Sequence, residues 1–189
     1  MKISISIVAI AVTTLVSCGS NKSKTDNSPA VQQSETKAPS VQVKEVASGP
    51  GAVVANYLDL KNELANDKSD GAATVGGKLL RAIKELGGET MTAGQKKVYH
   101  DLSGDIEENA DHISKNGGNI KHQREHFENL SQDMLAFVKA FGTPQTLYKD
   151  YCPMKKAYWL SEAPEIDNPY FGHEMSDCGE IQDTLHVAK

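Results

Sequence analysis

Apolar residues recur at three- and four-residue intervals in four successive segments of this chain, each bounded by recognisable start and stop residues. In the first, from Gly51 to Asp67, Val54, Tyr57, Leu58, Leu64 and Ala65 follow helical spacing. Pro50 suits a first turn and Asn66-Asp67 marks the stop. A second segment, from about Asp70 to Leu86, places Ala72, Val75, Leu79, Ile83 and Leu86 on one face and ends at Gly87-Gly88. Thr92-Ala93-Gly94-Gln95 has the T-x-x-Q form of a capping box. It opens a third helix through Val98, Leu102, Ile106, Ala110 and Ile113, closed by Asn116-Gly117-Gly118. The fourth, from about Asn119 to Phe141, carries Ile120, Phe127, Leu130, Met134, Phe137, Val138 and Phe141 before Gly142 and Pro144. No helix is apolar all round, so each must bury its stripe against the others, and short connections make neighbours antiparallel. The expectation is an all-α, up-and-down four-helix bundle. No segment shows the alternation of a strand, and no repeat is visible.

Beyond Pro144 the pattern changes. Six of the chain's aromatics, Tyr148, Tyr151, Tyr158, Trp159, Tyr170 and Phe171, crowd a short stretch broken by Pro153, Pro164 and Pro169. This reads as an irregular segment packed on the bundle, because so many aromatic rings would be poorly placed in water. The foldable domain is expected over 51–181, with 182–189 as a tail.

The other end is different again. After Met1-Lys2, Ile3 to Val16 is apolar but shorter than the roughly 20 residues of a membrane span, and it reads as the core of a signal peptide, residues 1–17. Leu15-Val16-Ser17-Cys18 looks like a bacterial lipobox, which would leave Cys18 acylated, with palmitate among its chains, as the mature N-terminus. Residues 18–50 then form a tether: Gly19 to Pro50 contains no Ile, Leu, Met, Phe, Tyr or Trp, and such a segment cannot offset its chain entropy by burial. Gly19 is not acidic, which favours the outer membrane. The domain would face the periplasm.

With 39% hydrophobic and 24% charged residues, the 189-residue chain is too polar to span a membrane repeatedly. Its net charge of -5 and the lack of a basic stripe argue against nucleic-acid binding. Phosphate-binding loop, dinucleotide fingerprint, serine-hydrolase elbow and covalent-haem motif are all missing, and no catalytic residues are expected.

The chemistry that remains is sulfur and imidazole. Cys152 and Cys178 suit a disulfide in an oxidising compartment. Their contexts, Cys152-Pro153-Met154 and Met175-Ser176-Asp177-Cys178, also supply the thiolate and thioether donors that favour Cu(I). His112, near the end of the third helix, and His122 and His126, near the start of the fourth, fall around one short turn. His126 flanks the buried stripe, where a returning tail could reach it, whereas His122 reads as solvated. His122-Gln123-Arg124-Glu125-His126 matches H-x-x-E-H, so zinc peptidase chemistry with Glu125 as base is a distant alternative.

The chain also resembles the domain of unknown function 3347 of bacterial envelope proteins. The resemblance rests on Tyr57-Leu58 with Leu60-Lys61, on Gln123-Arg124-Glu125-His126-Phe127, and on a tail series. That series runs through Tyr151-Cys152-Pro153-Met154, Trp159-Leu160-Ser161, Ile166, Asn168-Pro169-Tyr170-Phe171-Gly172, Met175 and Cys178-Gly179. Such domains occur as lipoproteins and fused to adaptors of heavy-metal efflux pumps, which implies copper or silver handling. Carried over by position, the ligands would be His126, Cys152, Met154, Met175 and Cys178, with His112 in addition. Tyr151-Cys152-Pro153-Met154 resembles the opening of a short heavy-metal-binding motif as well, but that motif continues with His where this chain has Lys155. The expected function is Cu(I) binding by a lipid-anchored, non-enzymatic domain with efflux components as partners. The alternative is a disulfide-stapled interaction module of the envelope.

Overall fold

Helices form where the apolar stripes lie: α1 (Gly49–Ala65), α2 (Ser69–Leu86), α3 (Ala93–Lys115) and α4 (Ile120–Phe141). The structure, a computed structural model, describes residues 48–187. Cys18 and nearly all of the expected tether therefore lie outside the described residues. Pro50 sits in the first turn of α1, where its missing N–H costs nothing. The capping box of α3 is made in full, with Gln95 N–H donating to Thr92 Oγ1 (3.3 Å) and Thr92 N–H to Gln95 Oε1 (3.1 Å). Gly142, at φ 81°, ends α4 in a backbone conformation that favours glycine.

Successive helices pack on one another across short turns, and Tyr57 of α1 stacks on Phe127 of α4 at 5.3 Å. Leu60, Leu64, Leu79, Ile83, Ile106, Ile113, Leu130 and Phe137 are fully buried between them. No described helix is long and apolar enough to cross a membrane.

The all-α expectation needs correction. The C-terminal segment forms a three-stranded antiparallel sheet in the order β2-β1-β3, from β1 (Leu147–Cys152), β2 (Ala157–Ser161) and β3 (Glu180–Leu185). Each strand hides its alternation for its own reason. An irregularity between Lys149 and Asp150 shifts the register of β1, so Leu147, Asp150 and Cys152 are buried instead of every second residue. In β2, Trp159, Leu160 and Ser161 are all buried, which removes the polar face. Polar and exposed, β3 is an edge strand with little hydrophobic signal, and it runs across the expected boundary at 181/182.

β2 lies against α4 and touches α1, and the polar contacts that fix it come from both helices. Tyr57 Oη accepts the Leu160 N–H (3.1 Å) and shares a hydrogen bond with Ser131 Oγ (2.8 Å). Lys61, only 2% exposed, approaches Glu162 Oε2 at 3.6 Å, while Asn62 donates to Glu162 Oε1 (2.7 Å). The carboxyl of Asp150, wholly buried in β1, has no hydrogen-bond partner among the described residues; burial pushes it up to about 7, against the pull of Lys61.

The second attachment is centred on Arg124 of α4. Its guanidinium donates to Pro169 O (2.7 Å), Leu64 O (2.8 Å) and Asp67 Oδ1 (2.7 Å), so it joins the tail, the end of α1 and the α1–α2 turn. Asp67 also accepts from the His173 N–H (3.0 Å). Gly172, at φ 56°, lets the chain pass so close that a Cβ there would run into Asp67 and Arg124.

Two outcomes follow for stability. Arg124→Ala leaves two carbonyls and a carboxylate without their donor, and should lower the unfolding free energy by about 3 kcal/mol in urea titration. Arg124→Lys should recover only part, because an ammonium cannot span the three acceptors of the planar fork. Separately, burial and the neighbouring Asp105 push the carboxyl of half-buried Asp133 up to about 6. The folded state therefore holds a proton that the unfolded state releases from about pH 4. The Asp133 contribution should fall as pH rises from about 4 to about 6 and level off above, while buried Asp150 extends the fall in stability to about pH 7. Asp133→Asn should flatten that slope and gain roughly 1 kcal/mol at pH 8, the modest size reflecting solvent screening at a half-exposed site.

Candidate functional site

Two sets of side chains of the kinds that can ligate a metal are assembled by different parts of the fold. The first lies where α3 meets α4. The four residues 116–119 reverse the chain, which sets the last turns of α3 beside the first turns of α4 and faces His112 toward His122 and His126. One ring nitrogen from each histidine lies within 4.8 Å of the others. The His112 and His126 rings stack at 4.3 Å, and the His122 ring meets that of His126 edge-on at 4.6 Å. All three are half-buried.

Asn109, one turn before His112, orients the set. Its Nδ2 donates to Asp105 O (2.9 Å), which turns its Oδ1 toward His126 Nδ1 at 2.9 Å. That oxygen can only accept, so Nδ1 carries the proton and the lone pair of His126 resides on Nε2. Burial, and then the neighbouring His112 and His122, hold the His126 pKa below the usual imidazole value. His122 Nδ1 lies 3.6 Å from Glu125 Oε2.

The second set is in the tail. The turn after β1 and the segment before β3 bring Cys152 Sγ within 3.3 Å of Cys178 Sγ, and both thiols are free. Cys152 is buried and Cys178 half-buried. Burial alone would raise the Cys152 pKa, but hydrogen bonds to its sulfur from the Lys155 N–H, Cys178, the Asn168 amide and the Met154 N–H outweigh it and hold the thiol below its usual value. Cys178, bonded to that sulfur and repelled by its charge, is pushed up. Met175 accepts the Cys178 N–H through its backbone (3.2 Å), and Met154 leaves 68% of its surface exposed beside Cys152.

His112 and His126 therefore stand with His122, and Cys152 stands with Cys178. Among the described residues, the histidines are not joined to the cysteine sulfurs in one cluster. Helix geometry gives the reason. The Cys152 turn docks on α4 through Lys155, whose Nζ meets Glu128 Oε2 at 2.7 Å. Glu128 is two residues past His126, about 200° round the helix, so the tail reaches the opposite side of α4 from the imidazoles. Sequence reasoning read His122 as solvated and passed over Asn109. The signal was there in the i,i+3 spacing of Asn109 and His112 across a short turn from an i,i+4 histidine pair.

A model of the family described as "Protein of unknown function (DUF3347)" matches residues 53–146. The chain belongs to this family. No curated protein and no solved structure matches it. The DUF3347 match takes in most of α1 and all of α2, α3 and α4, hence the three histidines, and it ends just before β1. The sulfur donors lie beyond it. Yet several residues that carry the resemblance inside the matched span hold that outer segment: Tyr57 meets Leu160, Lys61 meets Glu162, Arg124 meets Pro169, and Phe127 packs on Tyr170 at 5.8 Å.

Mild oxidation should join Cys152 to Cys178 within one molecule, because a small side-chain rotation closes their gap. Intact mass after alkylation should show both thiols protected together, and the oxidised form should resist urea by about 3 kcal/mol more. Two alkylatable thiols after oxidation would contradict the arrangement.

Proposed function

We propose that this protein is a lipid-anchored envelope domain that binds Cu(I) through Cys152 and Cys178 and passes it toward a heavy-metal efflux system. One observation carries the reading: two free thiols 3.3 Å apart, from segments brought together only by the fold. Thiolates favour Cu(I) strongly, and the exposed Met154 beside them offers a soft thioether toward solvent, from which an ion would arrive. The lipobox at Cys18 supports an anchored, periplasm-facing domain. The role is binding and transfer, not catalysis. In the H-x-x-E-H segment, Arg124 is committed to the tail and Glu125 leans on His122 Nδ1, a position suited to orienting a ring.

The same 3.3 Å separation also favours a disulfide, and with it a stapled interaction module. Metal and disulfide exclude one another at this pair, so the redox state selects between them.

Competition of the reduced protein against bicinchoninate tests the proposal. About one equivalent of Cu(I) should be withheld, Cys152→Ser should abolish this, and Met154→Leu should weaken it less. No copper withheld, or no change with Cys152→Ser, would overturn the reading.

A further inference from the structure

We propose that His112, His122 and His126 form a separate site for a borderline divalent ion of the Zn(II)/Cu(II) class, on the opposite side of α4 from the sulfur pair and independent of it. Three imidazoles with no thiolate suit such ions, whereas Mg(II) and Ca(II) require oxygen donors. The geometry is close to what coordination needs. Nitrogens bound tetrahedrally at about 2.0–2.1 Å stand about 3.4 Å apart, and the three here lie within 4.8 Å before any ion draws them in. Small ring rotations close the difference.

The surroundings are those of a built ligand set. Asn109, 8% exposed, fixes the tautomer of His126 and leaves Nε2 unprotonated for a metal. Glu125 gives His122 a carboxylate neighbour at 3.6 Å, the usual companion of a ligating imidazole. Glu108 and Glu125 act on His126, which places carboxylates beside the cluster that would attract a cation. Ordinary packing does not account for three half-buried imidazoles on two helices converging with stacked and edge-on rings. Three protein ligands leave one coordination position for water or for a donor from elsewhere.

Co(II) titration of the full chain after alkylation of both thiols, followed by displacement with ZnCl2 and with CuSO4, tests this without involving the cysteines. A tri-imidazole site should take up one Co(II) with visible d–d bands of four- or five-coordinate cobalt and no thiolate-to-cobalt charge-transfer absorption. Either competitor should displace it. His112→Gln or His122→Gln should weaken binding by about 100-fold, and Asn109→Ala by about 10-fold through the lost orientation of His126. His100→Gln and His173→Gln should leave it unchanged, and helical circular dichroism should confirm that each variant is folded. No cobalt taken up, or affinity unmoved in the folded His112 and His122 variants, would overturn the inference. Neither outcome bears on Cu(I) capture by the sulfur pair, which the bicinchoninate competition reads separately.

Discussion

The Arg124 guanidinium is the contact on which the tertiary arrangement turns. It reaches the end of α1, the α1–α2 turn and the tail at once, through Leu64 O, Asp67 Oδ1 and Pro169 O. Only a planar group with several fixed N–H directions can satisfy three acceptors from three segments. Once Arg124 is fixed, so is the path of residues 169–173, which Asp67 grips from the other side. That path carries Tyr170 onto Phe127 and Trp159, and brings the chain back toward Cys152. The position of the second thiol thus depends on an ion pair well removed from it in sequence.

The sheet and the bundle act as one unit. Tyr57, Lys61 and Arg124 are polar residues of helices, and in an isolated bundle they would face water. Here they satisfy the backbone and side chains of the C-terminal segment. Within the span that the family model covers, Tyr57, Lys61 and Arg124 thus secure the segment beyond it. Lys61 is buried in that junction, and buried Asp150 beside it, its carboxyl pushed up to about 7, is only partly ionised near neutral pH. Buried charge without full pairing is costly, and the junction tolerates it because each group lies near one of opposite sign.

Helix α4 separates two kinds of ligand chemistry. Its face toward α3 carries nitrogen donors, and its face toward the hairpin receives the sulfur pair through Lys155 and Glu128. Hard–soft preference follows that partition: imidazoles suit borderline divalent ions and thiolates suit monovalent copper. An assembly mixing both donor types, which the sequence suggested, would need the tail on the other side of the helix.

What the sequence determined by itself was the helical part. Four stripes, a capping box and glycine stops are local signals that depend on residues a turn or two apart, and the helices begin and end close to where those signals lie. The convergence of His112, His122 and His126 was legible for the same reason, since one short turn joins them. Tertiary structure alone decided the rest. The strands were hidden because a bulge broke the alternation of β1, two-sided burial removed it from β2, and an exposed edge left β3 polar. Which ligands share a site was hidden as well, because it depends on which face of α4 the tail meets. That face is chosen by Arg124, Tyr57 and Lys61, whose partners lie 45 to 103 residues away, and no local pattern records so distant a partner.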